Sequence, residues 1–329
     1  MQAADLVLEG GGVKGAGLAG AVAVLGQDYT FGRVAGTSAG AIVASFIAAG
    51  LTDKLDQIMV ETNFADFLDE GPVLGRLGAL GGVIGVLAHE GIYQGHRLHD
   101  WIEQTLAKAP RPVRTWADLR IPGADSSTPM EQRYRLVVVV SDVSRGRMLR
   151  LPWDYATLLG KDPDAQPVAD AVRASASIPF FFEPWKLPVD PSIADGHDKV
   201  VLTDGGMLSN FPVELFDDND IPTFGVKLSA RLTLQQQGWH TTNDPLSLGK
   251  ALISTMASAH DQLHVDRESV CARTVFVDTT GVNSTNFHLT AAEKQGLFDN
   301  GAAAASSFLT TWDYDAWKRT YATSSFAPV

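Results

Sequence analysis

The chain has 329 residues, 45% hydrophobic and 19% charged, a balance that supports a large buried core and excludes an intrinsically disordered protein. Lys and Arg number 26 against 38 Asp and Glu, and the net charge of −12 argues against binding to nucleic acids. The single cysteine, Cys271, cannot form an intramolecular disulfide, and no His or Cys cluster has metal-ligand spacing. We therefore expect a reducing compartment, no metal and no cofactor.

The amino terminus lacks both a basic segment and a long apolar stretch, so we predict no signal peptide and a cytoplasmic location. The longest weakly charged stretch, Pro72–Ala88, contains Arg76 and five glycines and is shorter than the roughly 20 residues of a membrane-spanning helix. No linker separates two cores. We predict one domain over residues 1–329, with its motifs between about residues 5 and 228 and the remainder, 229–329, completing the fold without an assigned role.

The first fifty residues alternate between short strands and helices of small apolar residues. A strand over Asp5–Leu8, a glycine-rich turn over Glu9–Gly15 and a buried helix over Ala16–Leu25 are predicted first. A strand over Phe31–Ala35, a sharp turn and a helix over Ala41–Ala49 then repeat the unit. Strands separated by helices require a mostly parallel sheet covered on both faces, so the predicted class is α/β.

The rest of the chain continues this alternation, without an internal repeat or a low-complexity tract. Runs rich in β-branched residues predict strands over Arg135–Ser141, Val200–Thr203, Thr223–Leu228 and Thr274–Asp278. Helices are predicted between them over Gly95–Lys108, Val168–Ser175, Leu246–Asp266 and Thr290–Phe308.

The turn after the first strand is crowded with glycines. Gly10, Gly12 and Gly15 satisfy the G-x-G-x-x-G dinucleotide pattern, but the second strand ends without the acid that would hold a ribose hydroxyl. A phosphate-binding P-loop is excluded because Ala16 stands where a Lys should follow the last glycine. Consecutive glycines at the start of a helix instead offer several backbone N–H groups to one oxyanion.

The turn after the second strand has the G-x-S-x-G pattern of a nucleophile elbow, with Gly36 and Gly40 on either side of Ser38. The glycines permit a tight turn, and the positive end of the following helix favours negative charge beside Ser38. The same pattern also occurs by chance in chains rich in small residues, where it only turns the backbone. Ser38 is therefore a candidate nucleophile that needs a base.

Two residues are candidates for that base. Ser38 comes too early in the chain for an ordinary α/β-hydrolase, and among eight histidines only His288 lies late enough to imitate a triad. Asp204 is the better candidate, because it ends a predicted strand and is followed by Gly205 and Gly206, which allow close approach. The alternative role for Asp204 is that of an ordinary turn aspartate.

Three motifs, in this order and at this spacing, resemble those of the patatin-like phospholipases: residues 10–15 (GGGVKG), 36–40 (GTSAG) and 204–206 (DGG). Residues 174–184 (ASASIPFFFEP) also resemble the segment that these proteins carry before the DGG turn. The resemblance implies a three-layer fold with helices on both faces of a mostly parallel sheet. Lys14 stands where many members have Arg, which preserves the backbone N–H groups but removes the planar guanidinium.

The same resemblance implies a serine lipid acyl hydrolase of phospholipase A type. Ser38 would attack the ester carbonyl, Asp204 would accept its proton without a histidine, and N–H groups around Gly11 and Gly12 would hold the oxyanion. The other residues of the oxyanion loop are Gly10, Val13, Lys14 and Gly15. A thioesterase or soluble-ester hydrolase with the same dyad, and a catalytically inert lipid-binding module, are the alternatives.

A phospholipid substrate also implies peripheral membrane contact, for which three stretches are candidates. Pro72–Ala88 is apolar and glycine-rich, and core packing explains it equally well. The aromatic run Ile178–Trp185 (IPFFFEPW) could line an acyl groove, although core packing is favoured. Arg145, Arg147 and Arg150 could contact headgroups, although a solvated strand edge is favoured.

Overall fold

The structure is a computed structural model that describes residues 1–69, 91–218, 220–229, 251, 255 and 267–321. The stretch Pro72–Ala88 lies outside these residues, as does the predicted helix over Leu246–Asp266 except for Ala251 and Thr255. Helices and strands are numbered below within the described residues.

The strands and helices alternate along the first half of the chain as predicted. The strands are β1 (Gln2–Leu8), β2 (Tyr29–Thr37), β3 (Gly91–Tyr93), β4 (Leu136–Asp142), β5 (Arg147–Leu151), β6 (Phe180–Phe182), β7 (Trp185–Pro188), β8 (Lys199–Asp204), β9 (Thr223–Lys227) and β10 (Thr274–Phe276). The helices are α1 (Gly15–Asp28), α2 (Ala39–Ala48), α3 (Leu55–Glu61), α4 (His96–Ala107), α5 (Tyr155–Leu159), α6 (Val168–Ser175), α7 (Glu268–Cys271), α8 (Ala291–Leu309) and α9 (Tyr314–Tyr321).

The central sheet has eight strands in the order β10-β9-β1-β2-β4-β8-β7, and β5 pairs with β4 outside this order. The strands from β10 to β4 are parallel, whereas β5, β8 and β7 are added by antiparallel pairing. The residues between β4 and β5 are too few for a crossover helix, so these strands form an antiparallel hairpin. The predicted α/β class with a mostly parallel sheet is confirmed.

Side chains of the central strands alternate between two buried layers. Leu6 and Leu8 of β1 belong to the larger core, which α1, α2 and α8 share, whereas Val7 belongs to a second cluster with Phe211 and Phe216. The second face is covered by a 3-10 helix over Val213–Phe216 and by α7. Burial on both faces explains why these strands are continuous apolar runs rather than alternating ones.

The described residues beyond position 228 join the same sheet and its larger core. β10 pairs in parallel with β9, and α8, which begins with a Thr290–Glu293 capping box, packs against α1. Side chains at Gly20 of α1 or Gly301 of α8 would overlap the backbone of the opposite helix, so the two helices approach closely. That residues 1–329 form one domain stays a prediction. No helix in the described ranges is both long and apolar enough to cross a bilayer.

Candidate active site

Ser38 lies at a sharp turn between β2 and α2. Its backbone has φ 54° and ψ −121°, a left-handed conformation that side chains rarely adopt. A Cβ at Gly36 would overlap the backbone of Gly40, and a Cβ at Gly40 would overlap the carbonyl of Leu8, so the turn tolerates only glycine at both positions. Ser38 is 4% exposed and stands at the amino end of α2. The geometry is that of a nucleophile elbow.

Asp204 is the last residue of β8, and an interaction with the Ser38 side chain acts on its carboxylate. The carboxylate also accepts the N–H of Gly206 at 2.8 Å and is 7% exposed. Burial raises the pKa of Asp204 to about 6, while the hydrogen bonds from Gly206 and Ser38 act in the opposite direction. A carboxylate with a pKa of about 6 that the serine side chain influences is suited to proton exchange near neutral pH.

The last residue of α6 and the segment that follows it hold Ser38 and Asp204 in place. Ser175 Oγ accepts the N–H of Ser38 at 2.8 Å and donates to the carbonyl of Val139 at 2.6 Å. The carbonyl of Ser177 accepts the N–H of Asp204 at 3.0 Å. Sequence reasoning did not identify either serine as a site residue. The resemblance of residues 174–184 to a family segment was the available signal.

A buried guanidinium, that of Arg173, anchors the same segment. Its Nη1 donates to Ser177 Oγ at 2.5 Å, and its other nitrogens donate to the carbonyls of Gly95 at 2.9 Å, Gln94 at 2.8 Å and Glu183 at 3.1 Å. Burial lowers the pKa of Arg173 to about 10, so the group stays charged at neutral pH. Arg173 thereby ties the residues behind Asp204 to the segments that begin α4 and β7.

The glycine loop runs from the end of β1 to α1 beside the serine elbow. The N–H of Gly10 donates to the carbonyl of Asn210 at 3.3 Å, and the N–H of Val13 donates to the carbonyl of Ser284 at 3.0 Å. The N–H groups of Gly11 and Gly12 donate no hydrogen bond to any residue that the structure describes. These two donors are available to a ligand.

Charged groups fix this loop to β9. Glu9 accepts hydrogen bonds from the Lys227 ammonium and from the N–H of Leu228. Burial lowers the pKa of Lys14, and the negative charge of Glu9 partly offsets that effect. The ion pair between Glu9 and Lys227 therefore fixes the loop to β9. Lys14 is itself a residue of the loop.

A narrow apolar pocket opens beside Ser38, with a volume of about 40 Å³. Gly12 and Ala176 are among the residues that line it, and none of the lining residues that the structure describes has an ionisable side chain. The wall residues include Ile42, Met59, Phe67, Leu98, Trp101 and Phe182. Ile178 and Phe182 of the aromatic run line this pocket, and Phe182 is also part of the larger core, whereas a role of the run in binding an acyl chain stays a prediction.

The remaining sequence candidates lie away from the Ser38–Asp204 pair. His288 is exposed, and among the described residues its ring has no hydrogen bond to either member of the pair. Arg145 pairs with Asp142 at 2.6 Å, and Arg150 pairs with Asp154 at 3.1 Å. No cluster of three or more potential metal ligands occurs in the part of the chain that the structure describes.

The structure is that of an α/β protein with a buried serine at a sharp strand-to-helix turn and a buried aspartate at the end of another strand of the same sheet. Residues 6–217 match the family model described as patatin-like phospholipase. The chain therefore belongs to the patatin-like phospholipase family, and a lipid acyl hydrolase is its general functional class.

Two relatives are similar along nearly their whole length. Uncharacterized protein YqhO of Bacillus subtilis is 37% identical over 313 residues, which cover 94% of this chain and 99% of YqhO. Uncharacterized protein R571 of Acanthamoeba polyphaga mimivirus is 23% identical over 315 residues, with 91% of both chains covered. The crystal structure of VipD from Legionella pneumophila shares the fold, with a TM-score of 0.52 at 17% identity over 94% of this chain and 67% of VipD.

Proposed function

We propose that this protein is a phospholipase A-type serine hydrolase that cleaves fatty-acyl esters of phospholipids through a Ser38–Asp204 dyad. The observation that carries the proposal is the combination of a strained, buried serine with a buried carboxylate that its side chain influences and whose pKa burial raises to about 6. A turn aspartate with only a structural role would not need a nucleophile as its partner.

In the acylation step, Ser38 Oγ bonds to the ester carbonyl carbon while its proton passes to Asp204. The carbonyl electron pair moves to oxygen, and the resulting oxyanion collapses and expels the lysophospholipid alkoxide, which takes the proton from Asp204. Water then attacks the acyl-enzyme, with Asp204 accepting its proton. Collapse of the second intermediate releases the fatty acid and returns the proton to Ser38.

The oxyanion would be stabilised by the N–H groups of Gly11 and Gly12, which have no partner among the described residues. The amino end of α2 adds the positive end of a helix dipole beside Ser38. Charge that develops during attack would thus meet donors that are already oriented.

The apolar pocket beside Ser38 would receive the start of the acyl chain. At about 40 Å³ it is too narrow for a full chain, so we expect its flexible lining, above all Met59, to move when substrate binds. A substrate drawn from a membrane or micelle also requires peripheral contact with the lipid surface, which we propose at the mouth of this pocket.

The decisive experiment measures fatty acid released from phosphatidylcholine vesicles, from p-nitrophenyl butyrate and from an acyl thioester. We expect release from vesicles that is lost in Ser38→Ala. Hydrolysis of only the soluble ester or the thioester would contradict the phospholipid assignment, and no hydrolysis of any substrate would indicate an inert lipid-binding module.

The matched control is Ser45→Ala. Ser45, like Ser38, is buried, but it lies within α2, and its hydroxyl donates a hydrogen bond to the carbonyl of Ile42 in the same helix at 2.7 Å. We expect this variant to retain release from vesicles, which separates loss of the nucleophile from general damage to α2.

A further inference from the structure

A second pocket lies at the opposite end of the sheet from Ser38. It has a volume of about 270 Å³ and is formed by the first half of β2, the end of α2 and the segments that precede α3 and β4. Phe31 in this pocket is seven residues before Ser38 on an extended strand, a separation of about 23 Å at roughly 3.3 Å per residue. The pocket is therefore separate from the proposed acyl site.

Two arginines line this pocket together. Arg135 comes from the residue before β4 and is half-buried, and Arg111 comes from the loop after α4. Arg111 Nη1 makes one long hydrogen bond of 3.4 Å to the carbonyl of Ala48 at the end of α2. The pKa of Arg135 is lowered by burial and further by the positive charge of Arg111, so the two guanidinium groups interact unfavourably.

Neither arginine forms an ion pair with any described residue, although acidic residues outnumber basic ones in the sequence. Asp53 also lines the pocket, but it makes no salt bridge to either of them in the described ranges. Among the charged side chains of the described lining, two arginines and one aspartate leave a net positive charge in a protein whose overall charge is −12. The arginines that do form ion pairs are Arg33, Arg120, Arg145, Arg150, Arg267 and Arg273.

Part of the pocket lining is apolar. Tyr29, Phe31 and Val34 contribute from β2, and Ile47 contributes from α2. An arginine fork matches the geometry of carboxylate and phosphate oxygens, and an apolar wall favours a hydrocarbon portion of the same molecule. The volume is close to the lower end of the range of small-ligand sites.

We propose that this pocket binds an amphiphilic anion, with its phosphate or carboxylate head on Arg111 and Arg135 and its apolar part against Phe31 and Ile47. Both headgroups offer paired oxygens to the two guanidinium groups. Binding would relieve the repulsion between the two cations. The site needs neither Ser38 nor hydrolysis, so its existence does not depend on the proposed activity.

Calorimetric titration of the whole protein with decyl phosphate, decanoate, inorganic phosphate and decyltrimethylammonium, each below its micelle concentration, tests the site. We expect saturable binding of decyl phosphate or decanoate, and the tighter of the two identifies the headgroup. Inorganic phosphate should bind more weakly, because it lacks the apolar part. Equal binding of the ammonium amphiphile would overturn the proposal, since it would show that only apolar contact matters.

Variants locate the site. Arg135→Gln and Arg111→Gln should each weaken binding about tenfold or more, whereas Arg135→Lys should retain most of it. Arg147→Gln, a charge-matched control at the exposed first position of β5, should bind as wild type. Thermal melts verify that each variant is folded. If the decyl chain binds beside Ser38 instead, its binding should persist in every variant. Unchanged affinity in the folded Arg111→Gln and Arg135→Gln proteins would therefore overturn the proposal.

Discussion

The backbone N–H of Ser38 donates a 2.8 Å hydrogen bond to the side-chain oxygen of Ser175, a residue 137 positions away in the sequence. The N–H groups at the start of a helix lack partners within it, and this one is satisfied by a fully buried hydroxyl. The Ser175 hydroxyl in turn donates a hydrogen bond to the carbonyl of Val139 on β4. The strained turn is thus fixed to the sheet by a side chain from another segment.

Replacing this support should misplace the nucleophile without removing it. We expect Ser175→Ala to lower kcat about tenfold or more with little change in KM, because the unsupported turn aims Ser38 less accurately. The unsatisfied N–H should also cost about 1–3 kcal/mol of unfolding free energy. Steady-state kinetics and urea unfolding measure the two effects. A kcat equal to that of the Ser45→Ala control would refute the positioning role.

The proposed dyad predicts how three variants rank in turnover. Ser38→Ala and Asp204→Asn should reduce turnover to a similar residual level, because residues that act as one unit do not contribute additively. His288→Ala should retain wild-type turnover, since its ring is exposed and bonds to neither partner in the described part of the chain. Initial rates on one ester substrate give the ranking. Severe loss in His288→Ala with activity in Asp204→Asn would indicate a triad instead.

Much of the fold could be predicted from sequence because parallel strands are short, continuous apolar runs between turn residues. The prediction of a helix over Val168–Ser175 matches α6, and the predicted helix over Gly95–Lys108 differs from α4 by one residue at each end. Short elements such as β3 and β6 were missed, because three residues carry no detectable periodicity. Their pairing depends on contacts between distant segments.

The residues of the candidate site could likewise be predicted only in part. Ser38 and Asp204 could be proposed because glycines mark their turns, and the structure brings the two side chains into contact. The supporting residues Ser175 and Arg173 carry no such mark, since an ordinary serine and arginine at the end of a helix have many uses. Only the tertiary fold shows that the hydrogen bonds of Ser175 and Arg173 support the segments that carry the proposed dyad.

The pH dependence of turnover follows from the pKa of Asp204. The group must be ionised to accept a proton, and its pKa is about 6. We expect kcat/KM to rise with pH through an apparent pKa near 6, falling at pH 5 to about a tenth of its value at pH 8. A pH series on a soluble ester, in buffers where the protein stays folded, measures this. A rate that is flat between pH 5 and pH 8 would exclude Asp204 as the base.

The same pKa predicts how Asp204 affects stability. The folded-state pKa of about 6 lies above the ordinary aspartate value of 3.8, so the folded protein binds the proton more tightly than the unfolded chain. The contribution of Asp204 to stability therefore falls as pH rises from about 4 to 6, by at most about 3 kcal/mol, and stays low above pH 6. Asp204→Asn should raise the Tm relative to wild type at pH 8 and have much less effect at pH 4. Comparison of melting curves at the two pH values tests this, and an equal change at both would contradict it.

The oxyanion loop offers a pair of glycine variants that separate catalysis from folding. A methyl group at Gly12 would meet the carbonyl of Ser284 on a backbone with φ 58°, so we expect Gly12→Ala to lose stability as well as activity. A methyl group at Gly11 would meet only the end of the Leu228 side chain, which can move. Gly11→Ala should therefore fold and report on the N–H donors.

We expect Gly11→Ala to lower kcat by at least about tenfold, towards the two to three powers of ten that loss of an oxyanion donor costs. Its KM should stay close to wild type, because the donors act on charge that exists mainly in the transition state. Gly296→Ala is the control, since a methyl group there on α8 meets no other atom within contact distance. Kinetics on one ester give both constants. A raised KM with unchanged kcat in Gly11→Ala would mean that the loop binds ground-state substrate, for instance a phosphate headgroup, and stabilises no oxyanion.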